Sequence, residues 1–156
     1  MLYNKTIAVV VPAYNEETQI GMVIETMPEF VDRIVIVNDK SKDKTSEVIQ
    51  RYIAEDKVEA ISLKDKTRFP IEETAYNKAE VVLHKKQVDE LKYYVPSEIV
   101  NKNPDKDRII LINNIENGGV GAAIARGYKW CKDHDIDCTA VMAGDGQMDP
   151  SELKSI

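Results

Sequence analysis

Asp145 stands between Gly144 and Gly146, two residues before Gln147 and shortly after the apolar run 138–142, CTAVM. A carboxylate and an amide carbonyl at that spacing are both hard oxygen donors, the kind magnesium and manganese prefer. The flanking glycines carry no side chain, so a diphosphate could come close to the backbone. Asp39 follows the apolar run 33–37, RIVIV, and can accept hydrogen bonds from a nucleobase imide or a ribose. A third polar loop, Pro12-Ala13-Tyr14-Asn15-Glu16-Glu17, follows the run 6–11, TIAVVV. Each loop alone reads as ordinary turn or capping chemistry. If the three converge, they suit a metal-bridged diphosphate.

Convergence requires the preceding runs to be neighbouring strands. TIAVVV, RIVIV, RIILI (108–112) and CTAVM are nearly continuous apolar segments rich in β-branched residues, as strands buried on both faces are. Helical periodicity separates them. Ile20, Val23, Ile24 and Met27 share one face of a helix starting at Glu16, with Asn15 as its cap and Pro28 at its end. Asp43 or Ser41 caps a second helix that buries Val48, Ile49, Tyr52 and Ile53. Val120, Ile124, Gly127 and Cys131 line a third. Alternating strands and helices predict an α/β fold with a mostly parallel sheet, whose ligands bind at the carboxyl ends of the strands.

Residues 65–107 interrupt this alternation. A structureless loop of that length is unusual in a compact domain. The segment is nearly charge-balanced, and Ile71, Ala75, Ala79 and Val82 suggest an amphipathic helix, so a helical insertion is expected, with 58–63 as a further strand before it. Near the end, Asp149, Pro150 and Glu152 have the pattern of an N-cap, a first helical residue and a capping box. So short a helix is marginal alone. The expectation is therefore of a single truncated domain, 1–156, from a longer parent.

A formal net charge of −6 argues against a general nucleic-acid binder. Cys131 and Cys138, spaced C-x6-C, match no zinc pattern and read as reduced thiols of a cytoplasmic protein. No stretch is long enough to span a membrane. His84 and His134 read as solvated surface residues. Asn117-Gly118-Gly119-Val120-Gly121 lacks the third glycine of a dinucleotide fingerprint; close packing of the following helix by Gly121, Ala122 and Ala123 is the better reading.

VVVPAYNEE, VNDKSKDKT, NGGVGAAIARG and MAGDGQMDP, in this order, resemble the donor half of family 2 glycosyltransferases, in the branch using polyprenyl-phosphate acceptors, such as dolichyl-phosphate mannose synthases. The resemblance covers about residues 5–56 and 107–156. It implies the Rossmann-like nucleotide-binding half of an A-type glycosyltransferase fold, a UDP- or GDP-sugar donor, a divalent metal (Mg or Mn), and inverting displacement onto an acceptor such as a lipid phosphate. Pro12, Tyr14, Glu16, Val37, Asp39 and Asp145 would line the nucleotide pocket, and Asp145 and Gln147 would serve the metal. Asp145 matches the last acid of the family's D-x-D signature, but Ala143 replaces the first. Asn38 replaces a common Asp, and Lys40 a common Gly. The resemblance puts the general base beyond Ile156, and a membrane location at the cytoplasmic face in segments beyond it. A non-catalytic nucleotide-sugar-binding module is the alternative. A sugar-phosphate nucleotidyltransferase ranks lower, because PAYNEE lacks the glycine-rich, arginine-bearing loop such enzymes need.

Overall fold

The computed structural model describes residues 1–63, 65–67 and 71–155. Five strands form one sheet in the order β3-β4-β2-β1-β5. They are β1 (Ile7–Ala13), β2 (Arg33–Asn38), β3 (Ser97–Ile99), β4 (Ile109–Asn114) and β5 (Cys138–Val141). All pairings are parallel except β3 with β4. Helices α1 (Ile20–Glu25), α2 (Thr45–Glu55), α3 (Lys78–Glu90) and α4 (Val120–Asp133) flank the sheet. The chain is thus a mostly parallel α/β sheet with flanking helices, consistent with a Rossmann-like A-type glycosyltransferase half-domain.

The apolar runs become strands because both sheet faces are covered. Val9, Val11, Ile34, Ile36 and Leu111 pack on one side with Ile20, Val23 and Ile49 of α1 and α2. Ala8, Val10, Val35, Val37, Ile110 and Ile112 pack on the other with Ala123 and Trp130 of α4. Alternate residues serve opposite faces, as the pleat demands. Helix α4 lies close to β1 at Gly127, where a Cβ would come within 2.3 Å of Val10 Cγ1. Gly121 plays no such part: a Cβ there would meet nothing within 4 Å.

Several local expectations need correction. Asn15 does not cap α1; its φ is +54° and α1 begins at Ile20. Asp43 lies just outside α2, where its Oδ1 accepts from the Thr45 N–H and hydroxyl. Residues 58–63 form no full strand; Glu59 bridges Asp107, while Ala60 and Leu63 N–H groups donate to Lys106 and Asp105 carbonyls. Fully buried Arg33 also secures this segment, donating to the carbonyls of Ile61 and Asp105.

The insertion does hold a helix, but α3 begins only at Lys78. Ile71, Ala75, Ala79 and Val82 are exposed, whereas Val81 and Gln87 are buried. Residues 68–70 of the insertion lie outside the described residues. Its second half adds β3, an antiparallel edge strand that the sequence reading missed.

Helix α3 docks on α4 through polar groups. Lys129 Nζ donates to Gln87 O at 2.9 Å and Asp133 Oδ1 at 2.6 Å, and pairs with Glu90 at 3.3 Å. Because α4 is covered on two sides, Arg126, Lys129 and Asp133 are buried beside Ala123, Gly127, Trp130 and Cys131, while Val120 is exposed. His134 is also buried, stacked on Trp130 with ring centroids 3.9 Å apart, so it is no surface residue. Burial lowers its pKa. His84 is half-buried, with Nε2 enclosed.

Pro150–Ser155 forms a 3-10 helix rather than an α-helix. Asp149 Oδ1 accepts from the Ser151 N–H at 2.9 Å, as a cap would. Glu152 donates its N–H to the Asp149 carbonyl, and Ile156 lies outside the described residues. Among the described residues no helix is long and apolar enough to cross a membrane.

Candidate functional site

The carboxyl ends of β1, β2 and β5 open onto a common cleft of about 930 Å³, at the upper end of the range for ligand pockets. Pro12, Tyr14, Glu16, Asp39 and Asp145 line it, together with Lys40, Ser41, Lys42, Asn117, Gly119 and Ala143. Val37 and Gln147 do not. Val37 is fully buried in the core, and the Gln147 side chain is exposed outside the cleft lining.

The first two loops are laced together. Asn15 N–H donates to Ser41 Oγ at 3.0 Å, and Lys42 N–H donates to Asn15 Oδ1 at 2.8 Å. The left-handed backbone at Asn15, which asparagine tolerates better than most residues, turns both groups toward the second loop. Glu16 N–H donates to Thr45 Oγ1, and Lys44 N–H to Glu17 Oε2. Asp43 adds a bond from the Glu17 N–H. Burial pushes the Asp43 carboxyl upward, but the bonds from Thr45 and Glu17 outweigh it and hold the pKa below its ordinary value.

Asp39 is buried at the floor of the cleft. Its Oδ1 accepts from Asn114 Nδ2 at 2.8 Å and from Gly118 N–H at 2.9 Å; its Oδ2 accepts from Gly119 N–H at 2.7 Å. Asn117 Nδ2 donates to the Asp39 carbonyl. The segment Asn117–Gly119 therefore grips Asp39, a role the packing interpretation of this sequence did not contain. The only signal for it was the pair of glycines before α4. Gly119, with φ +86°, supplies a left-handed turn there that side chains disfavour. Next to Asp39, Lys40 also has a positive φ, +56°, without being glycine.

The third loop is held more lightly. Gly144 N–H donates to Pro12 O at 3.2 Å, and Gln147 N–H donates to Asp145 Oδ1 at 3.0 Å. Gly144 serves packing: a Cβ would face Pro12 O at 3.1 Å and Ala13 Cβ at 3.4 Å. Gly146 serves the turn, with φ +72°. Half-buried Asp145 keeps its second oxygen free of protein donors among the described residues. Burial raises the Glu16 pKa, and the negative charges of Asp145 and Asp43 raise it further. Like charges facing one cleft favour a cation between them.

The donor chemistry therefore fits a hard divalent cation, with Asp145 as the protein ligand and Glu16 near enough to feel its charge. Among the described residues no group of three His, Cys, Asp or Glu could hold a metal by itself. Such a cation would take most of its ligands from a diphosphate and water.

No curated protein matches the chain significantly. The family model described as glycosyl transferase family 2 matches residues 8–80, which include the first two cleft loops. The third loop and the Asn117–Gly119 grip lie beyond that match. Over residues 8–80, the chain thus carries a stretch that supports a family 2 glycosyltransferase domain.

Proposed function

We propose that the cleft binds the nucleoside diphosphate of a nucleotide-sugar donor, UDP- or GDP-linked, and that the chain is the donor half of an inverting glycosyltransferase. The observation carrying this reading is that Asp39 and Asp145, at the ends of different strands, line the same cleft with Tyr14 and Glu16. Asp39 keeps one lone pair, on Oδ2, for the nucleoside beside the three its carboxylate gives to the protein. Asp145 holds the diphosphate end. In the transfer, an acceptor oxygen bonds to the anomeric carbon as the bond to the diphosphate oxygen breaks, and the electron pair leaves with the diphosphate. A magnesium or manganese ion, when bound, offsets the charge growing on that leaving group. A polyprenyl phosphate suits the acceptor role because a phosphate oxygen needs less help from a base than a hydroxyl does.

A second reading follows from Ala143, which lines the cleft where an acid would add a metal ligand. On that reading the chain is a non-catalytic nucleotide-sugar-binding module. Titrating UDP and GDP into the chain with and without manganese, then assaying transfer from UDP- and GDP-sugars to a polyprenyl phosphate by the full-length protein in which this donor half occurs, separates the two. Binding with transfer supports the enzyme, and binding without transfer the module. No binding of either nucleotide defeats both.

A further inference from the structure

The cleft holds two cationic groups that neither the metal nor the nucleoside role uses. Lys40 and Lys42 both line it, and both are exposed. Among the described residues neither ammonium is paired with a carboxylate, although the loop that carries them is tied to the first loop by hydrogen bonds. Lys40 also holds a left-handed backbone, φ +56°, that a β-carbon disfavours. A strained residue persists where its surroundings fix it, and such residues gather at ligand sites. Here the bonds of the Asp39 carboxylate and of the Ser41 N–H to Asn38 Oδ1 fix the chain on both sides. Opposite them, Ala143 leaves the third loop a carboxylate short.

We propose that Lys40, assisted by Lys42, binds the diphosphate directly, so that this chain holds nucleoside diphosphates with a large metal-independent component. This rests on the nucleotide-sugar reading above and specifies its diphosphate subsite. The anion meets fixed ammonium charge on the β2 side and oxygen ligands, with any cation they carry, on the β5 side. Two cationic contributions then share a task that a fuller set of acids would leave to metal alone. A lysine ammonium is a compact donor suited to phosphate.

Calorimetric titration of UDP and GDP into the chain, in EDTA and in manganese, tests the proposal. The unaltered chain should bind at least one of them in EDTA. Lys40→Met, which keeps the stem and removes the charge, should weaken that binding about tenfold or more, the scale of a lost charged hydrogen bond. Binding of uridine or guanosine should not change. Lys40→Gly should show the same loss while folding at least as stably, which separates charge from misfolding. Binding abolished by EDTA, or unaffected by Lys40→Met, would overturn the proposal and leave the nucleotide reading standing. Failure of the unaltered chain to bind either nucleotide under both conditions would overturn both.

Discussion

Asp39 and Asp145 line one cleft from two strand ends, and the protein treats them differently. Asp39 is buried and accepts from an asparagine and two backbone amides that lie 75 to 80 residues further along the chain. Asp145 is half-buried and, among the described residues, accepts only from Gln147, two residues away. A carboxylate with three charge-assisted bonds is part of the scaffold as well as the site. One held by a local turn is free to exchange partners. The difference teaches that two acids in comparable positions are held differently: Asp39 organises the floor of the cleft, and Asp145 is left the freer of the two.

The largest effect should come from removing the organiser. Asp39→Ala leaves the Gly118 and Gly119 amides and Asn114 without their acceptor, and should cost about 3 kcal/mol of stability or more. Urea unfolding measures this. A loss below about 1 kcal/mol would mean that the grip on Asp39 does not hold the loop. Nucleoside affinity should fall as well, by about 1–3 kcal/mol.

Lys40→Gly comes next and has the opposite sign. Relief of the left-handed backbone is worth about 1–2 kcal/mol, and the freer unfolded chain takes back about 0.5–1 kcal/mol. A net gain of roughly 0.5–1 kcal/mol is expected from the same unfolding curves. A destabilised variant would show that the Lys40 stem packs usefully.

Asp145→Ala should change stability by less than about 0.5 kcal/mol, the scale of a surface substitution, yet abolish any increase in nucleotide affinity caused by manganese. Manganese dependence that survives the change would remove Asp145 from the metal role and collapse the contrast with Asp39.

The smallest effect concerns Glu16. Its folded pKa lies above the ordinary 4.5, chiefly through burial and then through Asp145 and Asp43. A raised carboxyl contributes stability that is full below 4.5 and lost as pH rises through the folded pKa. Glu16→Gln should therefore stabilise the chain at pH 7, and the advantage should vanish as pH falls to 4.5. An advantage that is constant with pH would mean that the charge is not its source.

The sheet was legible because strands buried on both faces leave continuous β-branched runs, as TIAVVV and RIILI do. The three loops were legible because each follows such a run. What escaped depended on partners distant in sequence. The helical face of α4 was misjudged because the insertion buries Lys129 and Asp133, residues that periodicity assigns to solvent. His134 looked exposed, although its stacking partner Trp130 is only four residues away, because its ring also faces Asp65 of the insertion at 3.7 Å. Asn15 resembled a cap, yet its side chain accepts from the Lys42 N–H in the neighbouring loop. The edge strand Ser97–Ile99 is too short to announce itself by alternation. The grip of Gly118 and Gly119 on Asp39 joins two motifs that were each noticed, but whose hydrogen bonds only the fold could supply.

The most direct test of the account is amide chemical-shift mapping of the chain titrated with UDP and GDP in magnesium. Shifts concentrated at Tyr14, at Lys40 to Lys42 and at Gly144 to Gly146 are the predicted result. Shifts absent from all three loops, or confined to α3, would contradict a nucleoside diphosphate lying between Asp39 and Asp145.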